Sequence, residues 1–407
     1  APTATTATTT TSITHNNNYH MGALLSNSAK TSPESSYILQ PTSKQLLQQR
    51  RSSSASIDWI GKRPSKRQDG NKSSLQFRSI TAKNFHYSCI LGRGSAGTVR
   101  LVHNRKNKKF YALKCLRRSN IFHRKSAERT RREVDILRMA TSRRCPFIVH
   151  MFHCWQDDVH VYMLLEYAAG GELYNRLLAK KRLPLNVVKF YIAEIALALQ
   201  FLHSQGIAYR DLKPDNVVID DTGHVLLCDF GLSRPVDPRT GLVVNASAGG
   251  STSYKAPEIT RGHQEPHGIA VDWWALGVVC YELFTGKTPF GNRSRDAKYE
   301  IYAKINKGKI KWGKVKGMET SGMKEMLQGL MESDQLKRWN FDNLQTCTFY
   351  EELKWEQLEK KAIEPPWVPE LEKVGDHSHF QKWKEPRYPV KKLSMEALDY
   401  SNVLKRQ

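Results

Sequence analysis

The sequence predicts an α+β fold in two lobes, a mostly β small lobe followed by a mostly α large lobe. Three observations carry this. From Phe85 onward apolar residues alternate with polar ones, the period of a half-buried antiparallel sheet. A glycine-rich stretch, Gly92-Arg93-Gly94-Ser95-Ala96-Gly97, runs into the strand-like Thr98-Val99-Arg100-Leu101-Val102 rather than opening a helix. Further on the period becomes helical, most strongly from Leu185 to His203.

At 407 residues the chain can bury a large core, which fits one unit of two lobes plus tails. It carries 63 Lys+Arg against 39 Asp+Glu, a net charge of +24. That balance favours acidic partners (nucleic acid, an anionic membrane or phosphorylated protein), and it equally suits a solvated basic surface. Seven cysteines lie scattered without a close pair. The odd count and the absence of Cys-x-x-Cys argue against a disulfide framework or a zinc site and suit a reducing compartment. No apolar run is read as approaching the roughly 20 residues needed to cross a bilayer. The richest, Ile269 to Phe284, is interrupted by Asp272 and Glu282. Without a basic-then-apolar signal pattern at the start, the expectation is an intracellular, soluble protein, cytoplasmic or nuclear.

Residues 1–80 are rich in Thr, Ser and Asn with few aromatics, a composition too polar to offset the entropy of ordering. They read as a disordered tail. Two basic-serine patches, Arg50-Arg51-Ser52-Ser53 and Lys62-Arg63-Pro64-Ser65, stand out in it.

In the small lobe, Cys89-Ile90-Leu91 leads into the glycine stretch. A hairpin of glycines (Gly92, Gly94, Gly97, with Ser95 between) lets backbone N–H groups approach phosphate oxygens. The strand Tyr111-Ala112-Leu113-Lys114 follows, then a helical stretch Arg131–Leu137 with apolar residues at 134, 137 and 139. Val161 to Tyr167 reads as a buried strand running out of the small lobe.

The large lobe holds the stretch around which the rest is organised, Tyr209-Arg210-Asp211-Leu212-Lys213-Pro214-Asp215-Asn216, with Asp229-Phe230-Gly231 downstream. Asp211 can accept a hydroxyl proton, Lys213 can neutralise a transferring phosphate, and Asn216 with Asp229 can hold magnesium. These offsets suit phosphoryl transfer.

The chain thus resembles the eukaryotic protein kinase family over roughly residues 85–385. Tyrosine before Arg210-Asp211, where most kinases have histidine, is typical of the AGC group. Gly170-Gly171-Glu172-Leu173, Asp272-Trp273-Trp274-Ala275-Leu276-Gly277 and Lys361–Pro369 converge on that group, in a layout like that of the cyclic-AMP-dependent kinases. The resemblance implies a catalytic domain at 85–341 (small lobe 85–167, large lobe 168–341) and a C-terminal tail at 342–407. It implies Mg2+ and ATP as cofactors and transfer to serine or threonine, which the Lys213 pattern favours over tyrosine.

By the same resemblance, Lys114 pairs the inner phosphates and Glu133 is its ion-pair partner, with Glu128 the rival. Leu91, Val99 and Ala112 lie above the adenine, Val218 below it and Leu165 behind it, while Glu166 and Ala168 offer backbone groups. Glu172, Asp215 and Glu282 stand where basophilic relatives receive arginines; each alone also reads as an ordinary surface or core carboxylate. Together they imply an Arg-Arg-x-Ser/Thr preference, which would make Ser53, and with it Ser65, candidate autophosphorylation sites. Ser247 aligns with an activating phosphosite facing Arg129, Arg210 and Arg234. Ser251 is expected to bond Asp211 and Lys213, Asp272 to support the catalytic loop, and Glu258 to pair with Arg338. Implied partners are basic protein substrates, an upstream activating kinase and a regulatory subunit.

Departures accompany the match. Lys255 stands where relatives have an apolar residue beside the position after the phosphoacceptor, and Ala248 is small, which puts an apolar preference there in doubt. Cys347-Thr348-Phe349-Tyr350 replaces a His-Pro-aromatic-aromatic stretch. In the tail, His379-Phe380 and Trp383 resemble the segment that carries an aromatic to the adenine pocket. A terminal Phe-x-x-Phe is absent, so the groove beside the Glu133 helix is expected to be empty or filled in trans rather than by Leu398 and Tyr400. Two other classes stay open: a scaffold that binds ATP without turnover, and a nucleic-acid or membrane binder acting through the basic tail.

Overall fold

Five antiparallel strands form the first layer: β1 (Phe85–Arg93), β2 (Gly97–Asn104), β3 (Phe110–Arg117), β4 (Met151–Gln156) and β5 (His160–Leu165), in the order β1-β2-β3-β5-β4. The computed structural model describes residues 82–94, 97–121, 124–244, 249–262, 265–291, 295–310, 312, 318 and 322–384. The expectations for residues 1–80, Ser95, Ser247, Ala248, Leu398 and Tyr400 lie outside these.

The glycine stretch is a hairpin, as its strand context predicts. Arg93 pairs with Thr98 across it, and the Gly94 N–H donates to the Gly97 carbonyl at 2.9 Å. Gly97 is required by proximity: a Cβ there would lie 2.0 Å from the Cys115 carbonyl oxygen of β3. Below the sheet, a short helix α1 (Arg118–Ile121) precedes α2 (Arg124–Ser142), whose Glu133, Val134, Ile136, Leu137 and Ala140 are buried. The apolar face of α2 therefore runs through 134, 136, 137 and 140 rather than 139.

After Gly170 the chain forms β6 (Gly171–Glu172) and α3 (Leu173–Lys180), then α4 (Leu185–Ser204). Glu172 immediately precedes α3 in extended conformation, φ −76° and ψ 137°. Helix α4 also corrects the reading of apolar runs. It has 20 residues and is apolar and long enough to cross a membrane, although Lys189 and Glu194 interrupt it in sequence. Two-thirds of it is buried inside the lobe, and Glu194 is spent internally on His224 at 2.5 Å, so its apolarity is that of a core helix.

Short strands β7 (Ile207–Ala208), β8 (Val217–Ile219), β9 (Val225–Leu227) and β10 (Arg234–Pro235) form two small sheets, β6-β8-β9 and β10-β7. The remaining helices are α5 (Pro257–Thr260), α6 (Ala270–Thr285), α7 (Lys298–Lys307), α8 (Met323–Leu330), α9 (Phe341–Thr346) and α10 (Trp355–Glu359). Every residue of α6 from Val271 to Phe284 is buried, so this helix is the centre against which α4 and α8 pack. The seven cysteines are all unbridged.

Candidate active site

Strand register places the upper wall of the cleft. Val99 pairs with Lys114, and Ala112 with Leu165. Ala112 and Lys114 are two residues apart, so all four side chains share one face of the sheet. Lys114 Nζ lies 2.5 Å from Glu133 Oε1 on α2 and 3.3 Å from Asp229 Oδ1. Burial alone would pull this lysine down, but the two carboxylates outweigh it and hold Lys114 charged. Glu128 meets Arg132 at 4.0 Å, one turn along α2, with its side chain half exposed. Glu133 is thus the partner.

The lower wall is the loop from Tyr209 to Asn216, held from beneath by Asp272. This carboxylate, fully buried at the start of α6, accepts from Tyr209 N at 2.8 Å and Arg210 N at 2.7 Å and meets His203 Nε2 at 2.8 Å. The need for it is visible in the backbone: Arg210 has φ 72°, a left-handed conformation that a long side chain adopts only when held there. The Tyr209 hydroxyl donates to the Cys228 carbonyl at 2.5 Å, just before Asp229, which also has positive φ (57°). Tyrosine here therefore ties the loop to the strand that delivers Asp229.

Above this support four side chains converge. Asp211 Oδ2 accepts from Lys213 Nζ and from Asn216 Nδ2, each at 3.0 Å. Asp211 Oδ1 accepts from the Ser251 N–H at 3.1 Å and its hydroxyl at 3.2 Å, while Lys213 Nζ donates to Ser251 Oγ at 3.0 Å. Asn216 Nδ2 also donates to the Asp211 carbonyl at 2.8 Å. The Lys114 charge holds Asp229 below its usual carboxylate value, so it is anionic in the cleft. A carboxylate fixed for proton acceptance, two ammonium groups and a further anion within one cleft are equipped to position and neutralise a transferring phosphate.

Residues 85–350 match the model of the protein kinase domain. The chain belongs to the protein kinase family. It is 34% identical over 329 residues to a cAMP-dependent protein kinase catalytic subunit of Dictyostelium discoideum, covering 79% of this chain and 48% of that protein. It is 36% identical over 313 residues to one from Arthrobotrys oligospora (75% of this chain, 57% of that protein). To cAMP-dependent protein kinase type 3 of Saccharomyces cerevisiae it is 34% identical over 331 residues, 78% of each chain. The chain thus spans about half the length of the first two relatives.

Around the kinase cleft the remaining expected residues fall into separate groups. Glu172 and Asp215 are neighbours whose charges interact. Burial and then the Asp215 charge raise Glu172 to about 7, against a pull downward from Lys213. Glu282 is buried on α6 and accepts the Tyr254 hydroxyl at 2.7 Å, so it is tied to the loop before α5. Arg210 and Arg234 are buried together; burial first, then the charges of Arg132, Arg210 and Arg129, push Arg234 down to about 10. Arg132 is a fourth member that motif reading misses. Its spacing from Arg129, three residues along one helix, is the signal that could have found it. Glu258 and Arg338 pair at 2.6 and 2.9 Å, both fully buried.

The tail closes over this arrangement. Phe380 stacks on Tyr167 at 5.9 Å between ring centroids, and the Tyr167 hydroxyl donates to the Asp376 carbonyl. Gly171, with φ 76°, allows His379 to press close; a Cβ there would lie 2.5 Å from its carbonyl oxygen. Trp383 lies under the Arg93 guanidinium, at 6.0 Å from the ring centre. Lys361 pairs with Asp220 at 3.0 Å, and Arg176 covers the Trp367 ring at 3.4 Å. Neither contact is announced in the sequence.

Proposed function

We propose that this kinase transfers the γ-phosphoryl group of Mg-ATP to serine or threonine in proteins that carry arginines before the acceptor. The observation that carries the reading is Lys114, which joins Glu133 to Asp229, together with the hydrogen-bonded Asp211–Lys213–Asn216 cluster. In this assignment Gly92, Gly94 and Gly97 cover the phosphates and Lys114 clamps the inner ones. Val99, Ala112, Val218, Leu91 and Leu165 enclose the base, with the backbone of Glu166 and Ala168 alongside. Asp211 orients the attacking hydroxyl, and Lys213 neutralises charge on the group in transit.

Asn216 and Asp229 would hold magnesium. Among the described residues no three His, Cys, Asp or Glu side chains cluster as a self-sufficient metal site. One amide and one anionic carboxylate fit a Mg2+ that takes its other ligands from phosphate and water. When bound, the ion supplies charge neutralisation at the phosphate oxygens.

Glu172 and Asp215 support the arginine preference, since paired carboxylates bind guanidinium groups by charge-assisted hydrogen bonds. Glu282, engaged by the Tyr254 hydroxyl, is the third carboxylate of this assignment. The four-arginine cluster, of which Arg210 and Arg234 are buried, supports a second element, activation by phosphate on Ser247, because clustered like charges invite an anion. An upstream activating kinase and a regulatory partner belong to the same reading, as does an intracellular setting for ATP-dependent signalling.

The test is phosphate incorporation from Mg-ATP into an Arg-Arg-x-Ser peptide, with Asp211→Asn as comparison. Incorporation that the substitution abolishes is the expected result. Equal incorporation by both proteins would sink the assignment of Asp211, and none from a Ser247-phosphorylated chain would sink catalysis.

A further inference from the structure

Between Asp229 and Ser247 the chain folds back on itself and fastens to the large lobe. Arg234 and Pro235 pair, as β10, with Ala208 and Ile207 of β7. A hairpin follows directly. Val236 bridges Val243, the Asp237 N–H donates to the Leu242 carbonyl, and the Gly241 N–H donates to the Asp237 carbonyl, both bonds at 2.8 Å. The residues at the tip suit a tight turn. The Asp237 carboxylate accepts from the Arg239 N–H at 2.8 Å, Pro238 restricts the backbone between them, and Gly241 takes φ 69°.

Both legs of this hairpin are docked. The Val236 N–H donates to the Gly206 carbonyl at 2.8 Å and the Val243 N–H to the His267 carbonyl at 2.8 Å, while the Val244 N–H returns to the Pro235 carbonyl at 3.1 Å. Gly268 admits the tip, because a Cβ on it would lie 2.5 Å from the Gly241 carbonyl oxygen. All three docking bonds join backbone atoms, so a charge on Ser247 does not enter them. The next anchor downstream is Ser251, whose N–H and hydroxyl both meet Asp211. Only residues 245–250 lie between the Val244 and Ser251 anchors. Ordering so short a stretch with both ends fixed costs far less entropy than ordering the whole run from Asp229 to Ser251.

We infer that the Val236–Val243 hairpin holds the first half of the activation segment, and Arg234 with it, in place in the unphosphorylated chain, so that phosphate on Ser247 tunes activity rather than switching it on. This rests on the reading of Ser247 as the activating site and sets the size of its effect.

The test compares two full-length forms, one with phosphoserine installed at position 247 and one carrying Ser247→Ala, by kcat/KM on the Arg-Arg-x-Ser peptide. They are expected to differ by about tenfold or less, toward the low end of allosteric coupling. Gly268→Ala pushes the tip away, and Gly241→Val strains it at a site with open space around it. Each should widen the gap beyond about tenfold by lowering the Ser247→Ala form. Amide hydrogen exchange across residues 234–244 should be equally slow in the two wild-type-hairpin forms and faster in both glycine variants. A gap above about tenfold with the hairpin unaltered overturns the inference, as does exchange there that is slow only with phosphate. Glycine variants that exchange fast yet keep the original gap also overturn it. Those first two readouts need neither glycine variant to fold. Activity from neither form overturns the kinase reading instead, and the exchange comparison then still decides whether the hairpin holds without phosphate.

Discussion

Glu258 and Arg338 stand 80 residues apart in the chain and meet in a two-pronged ion pair, with oxygen–nitrogen distances of 2.6 and 2.9 Å and neither side chain exposed. Arg338 also donates to the carbonyls of Glu332 and Ala270, so one guanidinium fastens the start of α5 to α6 and to the end of α8. Removing one member leaves the other charge buried. Arg338→Met should therefore lower stability by about 3–5 kcal/mol in urea unfolding, and a double substitution that removes both charges should cost less than the two singles combined.

Asp272 bears a comparable burden within the catalytic loop. Asp272→Ala takes the acceptor from two backbone N–H groups and releases Arg210 from its left-handed backbone. The expected loss is about 3 kcal/mol or more in stability, with a fall in kcat that persists below the melting temperature.

Lys114→Met should separate folding from turnover. Its Nζ links Glu133 and Asp229, so the variant is expected to keep its circular dichroism spectrum while kcat/KM drops by roughly a hundredfold or more. Unchanged turnover would mean that the clamp is only structural.

Glu172 gives the pH dependence. Half-buried beside Asp215, it titrates at about 7 and is mostly anionic only above that value. Attraction for arginine is thus present above about pH 7 and fades as pH falls through it. Between about pH 8 and pH 6, KM for the Arg-Arg-x-Ser peptide should rise more than KM for an arginine-free peptide, and Glu172→Gln should remove the difference. The stability effect has the opposite sense. A carboxylate raised from its unfolded value of 4.5 opposes folding once ionised, so stability is lost as pH climbs from there through about 7. Glu172→Gln should accordingly gain on the wild-type protein at about pH 8 and not at about pH 5.

The arginine cluster predicts a different measurement. Burial and the charges of Arg132, Arg210 and Arg129 disfavour the charge on Arg234, against a partial offset from Glu128. A chain phosphorylated at Ser247 should melt above its Ser247→Ala form, gaining about one to three charge-assisted hydrogen bonds, and Arg234→Met should narrow the gap.

Local pattern made much of this legible. The glycine hairpin followed by strand, Lys114 on the third strand, and the fixed offsets from Tyr209 to Asn216 each lie within a few residues, so their spacing reports their geometry. Even the tyrosine variant was readable, though not that its hydroxyl would reach the Cys228 carbonyl, a contact between a side chain and a backbone atom that leaves no composition signal. Arg132 was hidden because a basic helix offers several arginines and only packing shows which turn inward. Helix α4 misled for the converse reason. Its Glu194 looks like a break in sequence but is satisfied internally by His224 and the Val225 N–H. The tail contacts were least readable, since Lys361 and Asp220 are separated by 141 residues and joined only by the completed fold.

Those tail contacts also set a length. The segment is pinned to the large lobe by Lys361 on Asp220 and Trp367 under Arg176, and to the small lobe where the Arg93 guanidinium donates to the Lys384 carbonyl at 2.9 Å. Between these anchors the chain is held again, by Tyr167 on Phe380 and on the Asp376 carbonyl and by His379 against Gly171, so it bridges the two lobes with little slack. Residues inserted there would lengthen the leash between the lobes, and residues deleted would shorten it. The reach of the tail is thus a mechanical gauge of how far the cleft can open.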